Sequence, residues 1–190
     1  AVKAYVESLN PVFRDFVTDQ NGKIFALPIS VSGAYAFTIN PKVFEEIGLT
    51  MDDIPTNFID LCAFVTRWND EFVEDYPNFA PLDSTEKYKD RMFRLALREW
   101  KGYCQATNQD LHFDDPIFRE MVAAIDAMRC DRIEESNKKT SDEESDYKQP
   151  LIFTGTWMLN SYYDGDVTFG KDKTPKLIQM TLTKDTAFYL

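Results

Sequence analysis

The chain has one histidine in 190 residues, so a His-rich zinc site or a His-paired nucleophile would have to rest on His112 alone. That residue follows Asp110 in a polar stretch and reads as a surface or loop position. Cysteine is scarce too. Cys62, Cys104 and Cys130 are odd in number and form no CxxC pair, so they decide neither a metal site nor a redox compartment. Cys62 reads as a small buried hydrophobe on a helix face. No Walker loop, GxGxxG or GxSxG occurs, which removes the usual phosphate, dinucleotide and hydrolase signatures. Lys and Arg cluster nowhere and the net charge is -11, which excludes nucleic acid as a partner, because phosphate neutralisation needs a basic patch.

Long apolar runs are also missing. The uncharged stretch Ile24 to Pro41 carries Pro28, Ser30, Ser32, Gly33, Thr38 and Asn40, so it reads as two strands meeting at a hinge and not as a membrane span. Ala1 to Gln20 has no apolar core of the signal-peptide kind and carries Lys3, Glu7, Arg14, Asp15 and Asp19. Asp19, Asn21 and Gly22 begin a calcium-loop pattern, but its terminal Glu is lacking, and no metal or cofactor is expected. There is no internal repeat.

What is present is core material: 44% hydrophobic and 14% aromatic residues suffice for a packed domain of this length. Helical and strand patterns alternate, which predicts an α/β layer architecture. Pro55 to Phe72 places Phe58, Leu61, Cys62, Val65 and Trp68 on one helical stripe. Ser84 to Thr107 repeats the spacing with Tyr88, Met92, Leu95 and Ala96 behind a Ser84 cap. Asp115 and Pro116 form a cap and first-turn pair ahead of Phe118, Met121, Val122, Ile125 and Met128. Trp68 and Trp100 are assigned to packing. Asp131 to Gln149 is almost without apolar residues and reads as a solvated loop or ragged helix end, with an acidic docking strip as the functional alternative. Beyond it, Leu151 to Thr154, an Asp164-Gly165-Asp166 turn, Val167 to Phe169, and alternating Ile178, Met180 and Leu182 return the chain to sheet.

Carboxylates are plentiful, and a glycosidase needs only two across a cleft. Glu45-Glu46, Asp52-Asp53 and Glu143-Glu144 are adjacent pairs, whose side chains diverge on a helix, so a solvated face accounts for them and no catalytic residue is assigned.

The segment Asn21 to Thr50 carries the most specific pattern. A turn at Asn21-Gly22 leads into an apolar stretch broken by Pro28 and Gly33, then a strand-like AYAFTIN, then a short helix. Asn40 suits its cap, Pro41 its first position, Phe44 and Ile47 share a face, and Gly48 suits a left-handed exit. Gly22, Lys23, Ile24, Phe25, Leu27, Pro28, Tyr35, Ile39 and Asn40 follow the order of a crossing segment. In this the chain resembles the extracellular solute-binding proteins of ABC importers, in the group that includes maltose-binding protein. Two further blocks fall where that family would place them. LIFTGTWMLNS, Leu151 to Ser161, resembles its strand-Gly-x-Trp corner, and KLIQMTLTKD, Lys176 to Asp185, resembles its return strand.

The resemblance implies one α/β lobe of the periplasmic-binding-protein type II kind, a central mixed sheet flanked by helices. That lobe would span residues 1–190, with a hinge-crossing strand near 23–30 at Leu27, Pro28 and Ile29 and a return strand near 176–190. At this length the chain is expected to be a fragment of a longer polypeptide, the second lobe, whose missing first lobe flanks it in sequence. The resemblance also implies export, to an extracellular or periplasmic site, as a lipid-anchored protein whose signal lies upstream, and partnership with ABC permease subunits. Its ligand would be a small-molecule sugar or oligosaccharide. A sugar ring suits an aromatic plate ringed by polar groups. Trp157 is the expected plate, with Thr154, Gly155 and Thr156 presenting N–H groups, Ser32, Gly33 and Tyr35 just past the hinge, and Glu86 with Tyr88 at the family's Glu-x-Tyr spacing. Each has a packing alternative: Trp157 as a core aromatic, Tyr35 alternating with Phe37 along a strand, and Tyr88 on its helix's apolar stripe. A glycan-active enzyme module with paired carboxylates and an acidic protein-interaction domain remain as other classes.

Overall fold

The computed structural model describes residues 2–8, 14, 17–19, 21–26, 37–39, 41–83, 87–140, 148–154, 176–178 and 180–186. The chain divides into two compact units, Ala1–Ala34 and Tyr35–Leu190.

In the first unit, helix α1 spans Val2–Ser8 and buries Val6. Further on, Thr18 and Ile24 bridge antiparallel around a turn organised by Asp19. One Asp19 carboxylate oxygen accepts the N–H groups of Asn21 at 2.9 Å and Lys23 at 2.8 Å, an Asx-type arrangement that explains the Asp at this position. Gly22 takes a left-handed φ of 74° there, where a side chain would strain the backbone.

The second unit is α/β, with a four-stranded mixed sheet. Its strands are β1 Phe37–Ile39, β2 Phe79–Leu82, β3 Gln149–Phe153 and β4 Lys176–Ile178. They lie in the order β2-β3-β1-β4. β2 and β3 run parallel, with Leu82 opposite Ile152; β1 is antiparallel to both β3 and β4, pairing Ile39 with Ile152 and with Lys176. Strand β1 is buried along its length, at Phe37, Thr38 and Ile39, and β3 is buried after the half-buried Gln149, through Leu151, Ile152 and Phe153. An unbroken apolar LIF run thus marks a strand covered on both faces, where a half-exposed strand would alternate. Pro81 lies in β2, an edge strand, where its missing N–H costs no second ladder.

Helix α2, Pro41–Glu46, buries Val43 and Phe44 and closes at Gly48, whose φ of 77° is the left-handed exit its sequence predicts. Helix α3, Phe58–Arg67, buries Phe58, Leu61, Cys62 and Val65 as its spacing predicts. It starts on a reciprocal cap. Asp60 N–H donates to Asn57 Oδ1 at 2.9 Å, while Asn57 Nδ2 donates to Asp60 Oδ2 at 2.7 Å. At its other end α3 widens into a π-helical turn, Trp68–Phe72, with Trp68 buried. Helix α4, Tyr88–Ala106, buries Tyr88, Met92, Leu95, Ala96 and Trp100. It begins later than the Ser84 cap predicts: Lys87 holds the cap position and makes no side-chain cap bond, while Ser84 lies outside the described residues. Helix α5, Pro116–Ala127, has the expected Asp115 cap, which accepts the N–H of Ile117 at 2.8 Å.

Of the two readings of Asp131 onward, solvated loop or ragged helix end, the loop is corrected over its first ten residues. Residues Asp131–Thr140 form a regular helix, α6, with Ile133 buried. Its support is tertiary. Buried Asn69 accepts the N–H groups of Arg132 at 2.9 Å and Ile133 at 3.3 Å through Oδ1, so a distant side chain caps a helix that composition alone does not favour. Near the other end of the chain, Thr181 bridges Asn57, and Met180 and Leu182 are buried while Ile178 is half-buried. The Asp164-Gly165-Asp166 turn and Val167 to Phe169 lie outside the described residues.

Candidate functional site

In an α/β sheet, ligands gather at the carboxyl ends of the strands, where side chains from several strands converge beyond the ladder. β2 and β3 are the parallel pair here, and they end at Leu82 and Phe153. The next residue on each is polar: Asp83 and Thr154. The ladder carries on for one bond, Asp83 N–H to the Ile152 carbonyl at 3.2 Å, and this brings the two side chains together. Thr154 donates twice to the same carboxylate oxygen, Asp83 Oδ1, through its backbone N–H and its hydroxyl, both at 2.9 Å. Arg91, one turn into α4, donates through Nη2 to the Thr154 hydroxyl. Thr154 is 1% exposed, and the buried Arg91 Nε–H has no hydrogen-bond partner among the described residues. Carboxylate, hydroxyl and guanidinium therefore form one chain of contacts in which the hydroxyl uses its donor and an acceptor position together.

Of the residues expected to hold a ligand, Tyr88 and Thr154 are described. Ser32, Tyr35, Glu86, Gly155, Thr156 and Trp157 lie outside the described residues, as do the expected hinge residues Leu27, Pro28 and Ile29. The structure places Tyr88 in the core, its packing alternative: it has no exposed surface, burial pushes its hydroxyl above the usual tyrosine range, and its backbone N–H donates to Glu134 Oε1 at 3.0 Å. The Thr154 N–H, expected to face a ligand, is given to Asp83 instead. Asp83 and Arg91 were not singled out by the sequence; their signal is positional, the first polar residue after the strand FAPL and a cation one turn into the following helix.

Other candidates resolve as structure. His112 is exposed, and its carbonyl accepts the indole N–H of Trp100 at 2.6 Å. All three cysteines are free and buried. Desolvation pushes the Cys62 thiol up to about 12 and, with the Glu134 charge adding to it, the Cys130 thiol up to about 11. Among the adjacent carboxylates, Glu45 and Glu46 are exposed on α2, and Asp53 is tied to Arg67 at 2.7 Å. Among the described residues, no group of three or more His, Cys, Asp or Glu side chains is placed to hold a metal ion, and no helix is long and apolar enough to cross a membrane.

Set beside known proteins, the chain matches no family model, no curated protein and no solved structure.

Proposed function

We propose that this chain is one lobe, of the periplasmic-binding-protein type II kind, of an extracellular solute-binding protein serving an ABC importer, and that it supplies half of a cleft for a sugar or oligosaccharide. The sequence blocks around Leu27-Pro28, Gly155-x-Trp157 and Lys176 to Asp185 support the reading. The observation that carries it is the Asp83–Thr154–Arg91 cluster at the carboxyl end of the parallel pair. It stands at the residue where the Gly155-Thr156-Trp157 corner begins and three residues before Glu86. A carboxylate and a guanidinium, with Trp157 three residues on from Thr154 in sequence, are residue types that suit a sugar, which offers an apolar ring face and hydroxyls at its edge.

The chemistry required is binding and release, by closure of two lobes about hinge strands, with no bond made or broken. The first lobe and the permease are the implied partners, and export as a lipid-anchored protein is the implied location. One lobe loses half of the contacts and cannot exclude water, so its own affinity is weak. The test is an amide-shift NMR titration of the 190-residue chain with millimolar mono- and oligosaccharides, repeated on Trp157→Ala. Saturable shifts at Asp83, Arg91 and Thr154 to Trp157, lost in the variant, are expected. Spectra unmoved across the whole panel would overturn the sugar reading.

A further inference from the structure

A second surface of the larger unit has the features of a helix seat. Helices α3 and α5 pack against each other, and between them and the turn at Asp52 to Thr56 lies an open groove of about 910 Å³. Its floor is short and aliphatic: Ile59 and Ala63 from α3, Ala124 and Ala127 from α5, with Ile54 beside them. Ala63 and Ala127 are exposed, so among the described residues nothing covers the trough. Small residues on two packed helices leave a channel into which a third helix can lay its side chains, the geometry of ridges into grooves.

The rim decides what kind of helix fits. Asp52, Asp53, Asp60, Asp70 and Glu71 surround the floor, and among the described lining residues Arg67 is the one base. Arg67 is shared between Asp53 at 2.7 Å and Glu71 at 3.0 Å, Arg129 pairs with Asp70, and Lys184 lies 3.9 Å from Asp60, so the rim is largely compensated but stays net acidic, with Asp52 outside these pairs. Asp52 is exposed. A rim of this sign repels an anionic lipid surface, and a second copy of a chain with net charge -11 is repelled as well. We infer that the α3–α5 groove is a docking site for a cationic amphipathic helix of a partner protein, its aliphatic stripe on Ile59, Ala63, Ala124 and Ala127 and its Lys or Arg residues on the acidic rim. This inference is independent of the ligand cleft and stands or falls without it.

The probe is a 14-residue Leu/Lys amphipathic helical peptide, titrated into the full chain with amide and methyl shifts recorded, against a Leu/Glu peptide of the same pattern. The Leu/Lys peptide is expected to shift resonances of residues 52–67 and 124–128, and the Leu/Glu peptide to shift none. Ala63→Phe fills the trough from an exposed helix position and is expected to weaken binding by about tenfold, the effect of losing a central contact. Ala127→Leu serves in its place if that variant does not fold. Asp52→Asn with Glu71→Gln is expected to reduce the dependence of affinity on salt. The inference is overturned by shifts scattered over the acidic surface and indifferent to Ala63→Phe, by equal binding of the Leu/Glu peptide, or by no saturable binding.

Discussion

Asn69 Oδ1 accepts the backbone N–H of Arg132 at 2.9 Å, joining the π-helical turn after α3 to the first turn of α6 across 63 residues of sequence. The same region is tied again by Arg132 Nη1, which donates to the carbonyls of Asn69 at 3.1 Å and Asp70 at 2.9 Å. The π turn and the foreign cap belong together, because the widened turn sets the buried Asn69 amide against the start of α6.

Removing that amide takes the acceptor from two α6 donors, the buried Ile133 N–H and the half-buried Arg132 N–H. Asn69→Ala is expected to lower stability by about 1–3 kcal/mol, the cost of buried groups losing their partner. Denaturant midpoints give the magnitude, and hydrogen exchange should quicken most at Arg132 and Ile133. Unchanged exchange at those two amides would contradict the capping role.

At the carboxyl end of the parallel pair, Thr154→Val keeps the shape and deletes the hydroxyl that links Asp83 to Arg91. A loss of about 1–3 kcal/mol is expected, because a half-buried carboxylate loses a donor and a half-buried guanidinium loses an acceptor. Thr154→Ser should recover most of it. A double-mutant cycle with Asp83→Ala should show non-additivity, and strict additivity would mean the contact carries no coupling.

The buried thiols predict a loss of stability on the alkaline side. A folded-state thiol raised to about 12 at Cys62, from an ordinary 9.0, favours the neutral form. Its contribution is complete below about pH 9 and fades as the pH rises toward the folded value. Urea midpoints should therefore fall above pH 9 in the native chain, and less steeply in Cys62→Ala. Identical pH profiles would exclude Cys62 as the source.

Arg67 offers a contrast. Its hydrogen bond holds the Asp53 carboxyl below the ordinary 3.8, with the Thr50 backbone N–H helping. A depressed carboxyl stabilises the fold above pH 3.8 and loses that contribution as the pH falls through the folded value. Both partners are substantially solvated, at 42% and 24% side-chain exposure, so Arg67→Met is expected to cost under about 1 kcal/mol. NMR titration of Asp53 should show its pKa rising toward 3.8 in that variant. A larger loss of stability would mean that the stacking of Arg67 over the Phe72 ring, at 5.1 Å, matters more than the ion pair.

Helices α3, α4 and α5 were legible because each carries an apolar residue every third or fourth position, and Asp115-Pro116 even marks the start of α5. The start of α4 was not, since Lys87 gives no local cap signal and the first N–H is taken by Glu134 from α6. Of the candidate site, Thr154 was legible as the end of a buried strand. Its partners were not: Asp83 lies 71 residues away and Arg91 63, and no periodicity reports a contact at that separation.

Sequence alone determined the α/β class, the apolar stripes that became the core, the turn at Asn21-Gly22 and the left-handed exit at Gly48, because local sterics and hydrophobic period act over a few residues. Tertiary structure decided the order β2-β3-β1-β4, the persistence of α6 and the meeting of Asp83, Thr154 and Arg91. These depend on groups far apart in the chain satisfying one another's buried hydrogen bonds, which is a property of the packed molecule and not of any segment.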